Sequence, residues 1–262
     1  MKIIEKEEQV IESGTSFKYS GGGDSAVLLI HGFTGNPYSM RILGTYLADK
    51  GIDAFGVRLA GHGTAVENLA QTDYRDWQES VRVAFNQVRT KYKQISIVGL
   101  SFGGNLAFNL TRCYPNIISR IVTIGTPVLL NKPRLNRYVV PYIKRFKKYY
   151  KKEWAKEMKS DSAFMKRSYD RIPLDSYNSF IYFINNFTKK ELPHVKVPTL
   201  VIHSQDDVVI PPKSAEIIYN TLGSKEKELF WLKNSYHDPL VDEVTESLLD
   251  KIYQFLMTTS PH

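Results

Sequence analysis

A serine with glycines two positions to either side stands in Gly99-Leu100-Ser101-Phe102-Gly103-Gly104. The apolar run Ser96–Val98 precedes it and a helical run from Asn105 to Cys113 follows, so the segment reads strand, GxSxG, helix. A sharp strand-to-helix turn of this kind projects a strained serine hydroxyl, and its glycines let backbones approach closely. The chemistry it suits is nucleophilic acyl transfer through Ser101. A glycine-rich phosphate loop fits less well, because GLSFGG has no lysine after its glycines and lacks GxGxxG spacing.

A serine hydroxyl at its ordinary pKa is a weak nucleophile, so the reading requires a base within hydrogen-bond reach and a third group to orient that base. Of six histidines, His237 in Lys233-Asn234-Ser235-Tyr236-His237 fits best: it follows the last candidate strand and precedes the final helix. His262 is terminal, His194 lies among prolines, and His31, His62 and His203 fall in or just after strands that would floor the site. With the order nucleophile, acid, histidine along the chain, the acid should follow the penultimate strand. His203-Ser204-Gln205-Asp206-Asp207 offers two carboxylates there; Asp207 is the choice and Asp206 the runner-up, which otherwise would cap or hydrogen-bond the turn. Acyl transfer also needs donors for the oxyanion. The backbone N–H of Phe102 supplies one and that of Phe33, in His31-Gly32-Phe33-Thr34-Gly35, the other. His31 and His62, beside tight glycine turns, read as structural hydrogen-bonding residues. No HxxxH or paired Cys/His spacing is present, so neither metal nor cofactor is expected.

Six β-type runs must position these groups: Ala26–His31, Ile52–Val57, Gln94–Gly99, Ile118–Ile124, Thr199–His203 and Glu228–Leu232. Between them run helical patterns near Tyr38–Lys50, Phe102–Cys113, Lys213–Leu222 and Val241–Leu256. A further helix, capped by Asp73, carries Trp77, Val81, Phe85 and Val88 on one face. This alternation predicts an α/β fold with a mostly parallel sheet covered by helices on both faces. It breaks at Pro127 and resumes near Val197, which predicts a core of residues 1–126 and 194–262 with an inserted helical cap, or lid, at 127–193.

The inserted segment carries the charge. The 262-residue chain has a net charge of +8, yet residues 128–192 hold 16 Lys and Arg against 6 Asp and Glu, and the remainder holds 19 against 21. The segment also holds 13 of the 32 aromatic residues, among them Tyr138, Tyr142, Phe146, Tyr149, Tyr150, Trp154 and Phe164. Interleaved cations and rings can serve single-stranded nucleic acid. The spacing of Tyr142, Phe146, Tyr149, Tyr150 and Trp154 instead predicts an amphipathic helix laid over apolar surface, with weak attraction to anionic membrane surfaces and no nucleic-acid partner. The lone Cys113 reads as a packing residue. The longest aliphatic run, Ala26–Ile30, falls far short of the roughly 20 residues of a membrane span. MKIIEKEEQV has no apolar h-region, so a cytoplasmic location is expected.

Taken together, HGFTGNPYSMRIL (31–43), RLAGHGT (58–64), DYRDW (73–77), GLSFGG (99–104), DDVVIPPKSAEIIY (206–219) and NSYH (234–237) resemble the serine α/β-hydrolases. The resemblance is closest to small bacterial carboxylesterases and monoacylglycerol lipases, and it leaves only the cap poorly matched. It implies the α/β-hydrolase fold, Ser101 as nucleophile, Asp207 as acid, His237 as base, and Phe33 and Phe102 as oxyanion donors. It also implies a small-molecule acyl ester as substrate, of short to medium chain, held in a hydrophobic tunnel between cap and core. Thioesterase, lactonase and aminopeptidase chemistry use the same triad, and a non-catalytic binding protein could keep the fold.

Overall fold

The computed structural model describes residues 9–131, 140–143, 145–152, 168–233, 235–240 and 245–258. Strands β1 (Phe17–Tyr19), β2 (Ser25–Ile30), β3 (Asp53–Val57), β4 (Gln94–Leu100) and β5 (Ile118–Ile124) come first along the chain. The chain then leaves the sheet; β6 (Tyr149–Lys151) and β7 (Arg171–Pro173) pair only with each other, as an antiparallel ribbon. It returns with β8 (Thr199–Ser204) and β9 (Lys227–Leu232). The main sheet has the order β1-β3-β2-β4-β5-β8-β9. β1 is antiparallel to β3 and every other pair is parallel.

A parallel sheet is covered on both faces, which is why its central strands are continuous apolar runs. Val27 and Leu29 face one side with Leu43 and Leu47 of α1 (Arg41–Asp49), and Leu28 and Ile30 face the other. That second side is closed by α2 (Tyr74–Val88) and α3 (Phe102–Cys113). Asp73 caps α2 as its sequence predicts, accepting from Arg75 N–H while Asp76 accepts from Asp73 N–H. Trp77, Val81, Phe85 and Val88 are all buried, each worth about 1.5–3 kcal/mol of transfer free energy. After α4 (Leu174–Phe183) the chain continues through one π-helical stretch, Ile184–Thr188, before β8. α5 (Lys213–Thr221) packs beside β8 and β9, and α6 (Glu246–Met257) returns to the α1 face with Leu248, Leu249, Ile252 and Leu256. Among the described residues no helix is long and apolar enough to cross a membrane.

Two expectations fail. Tyr149 and Tyr150 lie in a strand, not in an amphipathic helix: they pair with Pro173 and Ile172, and the Arg171 guanidinium sits 4.8 Å from the Tyr149 ring centre. Tyr142 and Phe146 cover nothing, being 74% and 91% exposed. A partner strand some twenty residues on overrides the local helical spacing. Cys113 is exposed rather than packed, because it is the last residue of α3 and the buried part of that helix stops at Thr111. Tyr138, Trp154, Phe164, Asn234 and the first residues expected of the last helix, 241–244, lie outside the described residues.

Candidate active site

The α3 N-terminus builds the first part of the site. Ser101 connects β4 to α3 with φ 51° and ψ −120°, a left-handed conformation that side-chain-bearing residues avoid. The crossing is tight: a Cβ on Gly103 would lie 2.1 Å from the Ile30 carbonyl oxygen. The loop after β2 comes equally close, since a Cβ on Gly32 would stand 3.1 Å from the Ser101 Cβ. Glycine at these positions lets the Ser101 turn and the Gly32–Gly35 loop meet.

His237 reaches the same point from the loop after β9. Its Nε2 lies 3.1 Å from Ser101 Oγ, and its Nδ1 lies 2.7 Å from Asp207 Oδ2. The Asp207 side chain is 1% exposed, and Oδ1 accepts from the N–H groups of Val209 and Ile210 at 2.8 and 2.9 Å. Burial alone would raise this carboxyl's pKa. The hydrogen bond and charge of His237, with the two backbone donors, outweigh burial and hold it below the ordinary carboxylate value. With Asp207 ionised, Nδ1 carries the proton that it donates, which leaves Nε2 with a lone pair toward Ser101 Oγ. The sequence therefore brings Ser101, His237 and Asp207 together, whereas Asp206 is exposed and its N–H bonds Ser204 Oγ.

His203 is a contributor that the sequence reading left in the floor of the site. Its Nε2 donates to the Ile210 carbonyl at 3.1 Å and lies 3.4 Å from Asp207 Oδ2, the same oxygen that meets His237. Burial pushes its pKa down, so it serves as a neutral donor behind the acid. A β8 position four residues before an acidic residue was the available signal, and it became meaningful only once the 205–210 turn folded back.

His31 and His62 take the bracing role expected of them. His31 Nδ1–H donates to the Gly32 carbonyl at 2.9 Å while Nε2 accepts from Leu59 N–H at 3.3 Å. His62 Nδ1–H donates to the Ala60 carbonyl at 3.0 Å while Nε2 accepts from Thr34 N–H at 3.2 Å. Both are fully buried, and burial drives the pKa of His31 to about 4 and that of His62 well below its ordinary value. Each therefore stays neutral with both ring nitrogens occupied, tying the Gly32–Gly35 loop to the 59–62 loop. Phe33 on that loop stacks on Phe180 of α4 with ring centres 5.0 Å apart, and its ring also meets Tyr177, Trp77 and Phe102.

The family model described as serine aminopeptidase, S33 matches residues 23–244. A thermostable monoacylglycerol lipase of Bacillus sp. (strain H-257) is 29% identical over 95% of this chain and 97% of its own. A carboxylesterase of Bacillus subtilis (strain 168) is 30% identical over 90% and 93%. Among solved structures, one from work on the metagenome-derived lipolytic enzymes LipS and LipT superposes with a TM-score of 0.83 at 30% identity, covering 95% of this chain and 99% of that one. The relatives span essentially the whole chain, inserted segment included. With its sheet order, strained serine turn and His237 on a buried Asp207, the chain belongs to the serine aminopeptidase S33 family of α/β-hydrolases and is a serine hydrolase of the esterase and monoacylglycerol lipase type.

Proposed function

We propose that the protein hydrolyses short- to medium-chain acyl esters, monoacylglycerols among them, through an acyl-enzyme on Ser101. The observation that carries this is the continuous hydrogen-bond line Ser101 Oγ, His237, Asp207, with links of 3.1 and 2.7 Å at a strained strand-to-helix turn. His237 Nε2 takes the Ser101 proton as Oγ attacks the ester carbonyl, then returns it to the departing alcohol. Water enters by the same route in reverse and frees the acid. The oxyanion is held by the N–H groups of Phe33 and Phe102, which flank Ser101 from the Gly32–Gly35 loop and the first turn of α3. Residues 127–193 act as a cap on the 1–126 and 194–262 core. The rings that α4 contributes, Tyr177 and Phe180, give the acyl chain an apolar wall beside Phe33.

The test is a chain-length series of p-nitrophenyl esters and monoacylglycerols, with aminoacyl p-nitroanilides alongside and mass spectrometry after a phosphonate inhibitor. Ester turnover with the label on Ser101 is expected. Anilide cleavage exceeding ester cleavage would assign peptidase chemistry instead, and no turnover with no label would leave a binding protein.

The cap is also proposed to rest weakly on anionic membrane surfaces. Tyr142, Phe146 and Tyr150 are exposed, and exposed Arg145, Lys147, Lys148 and Lys151 lie among them, the pairing of apolar and cationic groups that such surfaces attract. Phe146→Ser with Lys147→Glu and Lys148→Glu should at least halve co-sedimentation with phosphatidylglycerol vesicles and leave turnover of soluble p-nitrophenyl butyrate unchanged. Sedimentation independent of anionic lipid content would end this reading.

A further inference from the structure

A lysine buried outside the Ser-His-Asp line meets the loop that carries Phe33. Lys152, just past β6, is 6% exposed, and its ammonium donates to Thr34 Oγ1 at 2.7 Å and to Ser168 Oγ at 2.8 Å. Thr34 directly follows Phe33 and has φ 64°, a left-handed conformation that is costly for a β-branched residue and persists only where surroundings impose it. Those surroundings come from two parts of the chain. From the core, His62 Nε2 accepts Thr34 N–H. From the inserted segment, Tyr169 N–H donates to the Thr34 carbonyl at 3.1 Å, Ser168 Oγ–H does so at 3.3 Å, and Ser168 forms an isolated β-bridge to Gly35. The Tyr169 hydroxyl then locks onto the core loop, donating to the Gly61 carbonyl at 2.8 Å and accepting Thr64 N–H at 3.0 Å.

A buried ammonium is expensive, and burial, partly opposed by Asp170, lowers the pKa of Lys152 to about 7. A methionine would fill the same space without that cost, so packing alone does not account for a lysine here. What the ammonium adds among the described residues is directed hydrogen bonding to Thr34 and Ser168, the first of them the strained residue next to Phe33.

We propose that Lys152 is a positioning residue for ester hydrolysis: by clamping Thr34 it fixes the Phe33 N–H toward Ser101, so that seating of the inserted segment and shaping of the oxyanion site are one event. This rests on the assignment of Ser101 and of Phe33 N–H made above.

The experiment compares wild type, Lys152→Met, Thr34→Val and the double variant, each with steady-state kinetics on p-nitrophenyl butyrate, the phosphonylation rate, the labelled residue and a thermal melt. Lys152→Met should lower kcat and the phosphonylation rate about 10- to 100-fold with KM within about twofold, as expected when a donor near the reacting atoms is misplaced by less than an ångström. Thr34→Val should match it, and the double variant should be no worse than either single, since both remove one link. If Lys152→Met yields no folded protein, the same split is read from Thr34→Val, which leaves the lysine its bond to Ser168. A kcat within twofold of wild type, a loss carried by KM alone, or fully additive losses would overturn the positioning role. Failure of the underlying assignment looks different: wild type itself would then not be labelled on Ser101.

Discussion

Ser101→Ala is expected to lower kcat on p-nitrophenyl esters by ~10⁴-fold or more, with the protein still folded. Removing Oγ deletes the hydroxyl that His237 Nε2 addresses, and with it the group proposed to form the acyl-enzyme. Any residual rate would come from binding and the oxyanion donors alone. The backbone makes a second, independent statement at the same position. With φ 51° and ψ −120°, Ser101 occupies a region that costs a side-chain-bearing residue of order 1–3 kcal/mol, and alanine inherits that cost whereas glycine does not. Glycine also gives the unfolded chain more freedom, worth about 0.4–1 kcal/mol against it. Ser101→Gly should therefore be as inactive as Ser101→Ala but melt a few degrees higher, while Ser101→Ala melts near wild type. Measured kcat and thermal midpoints for the two variants decide it. Activity of Ser101→Ala within a few-fold of wild type would remove the nucleophile assignment, and equal midpoints would remove the strain argument.

The elements that hold this serine were legible because their signals are local. Ile118–Ile124 and Phe102–Cys113 occupy the residues their patterns predict, one as a continuous apolar run in a parallel sheet, the other as a helix opened by the elbow. The distance between Ser101 and His237 was not legible as a number. Their meeting could be inferred, however, since both follow parallel strands, and loops at the carboxyl ends of such strands converge. Phe17–Tyr19 escaped notice for a different reason. Three residues on an antiparallel edge carry too little alternation to distinguish them from a loop.

The inserted segment was read least well, and the cause is physical. Aromatic and basic residues at mixed spacings satisfy a helical wheel and a strand alternation almost equally, and Tyr149–Lys151 was settled by its pairing with Arg171–Pro173. Which of the segment's described lysines is buried depends on where Thr34 and Ser168 lie, so Lys152 resembles Lys147, Lys148 and Lys151 in sequence and differs from them only in three dimensions. His203 belongs to the same class: its type and strand were evident, but its bearing on Asp207 arises from the fold of the turn that follows.

That bearing sharpens what amidation of the acid should do. Asp207→Asn is expected to lower kcat about 10³- to 10⁴-fold, and Asp206→Asn to stay within about twofold of wild type. An asparagine at 207 keeps its carbonyl oxygen for the Val209 and Ile210 N–H groups, which turns the amide NH₂ toward His237 Nδ1 and His203 Nε2. Facing a donor, the His237 ring is held with Nδ1 unprotonated and Nε2 protonated, the tautomer that cannot accept the Ser101 proton. His203 Nε2–H, meanwhile, keeps its bond to the Ile210 carbonyl but loses the attraction of the carboxylate oxygen 3.4 Å away and faces an N–H in its place. Activity and stability should thus fall together in Asp207→Asn, and neither should fall in Asp206→Asn. The pH dependence has a fixed sign. Because the folded-state pKa of Asp207 is depressed, its stabilisation is fully present above the unfolded value of about 3.9 and disappears as pH falls through the folded value. The gap in thermal midpoint between wild type and Asp207→Asn should accordingly be widest near neutral pH and narrow in acid. Midpoints measured from pH 3 to 7, beside kcat for both variants, test this: a gap that widens in acid would refute the linkage, and a larger loss of kcat in Asp206→Asn would exchange the roles of the two carboxylates.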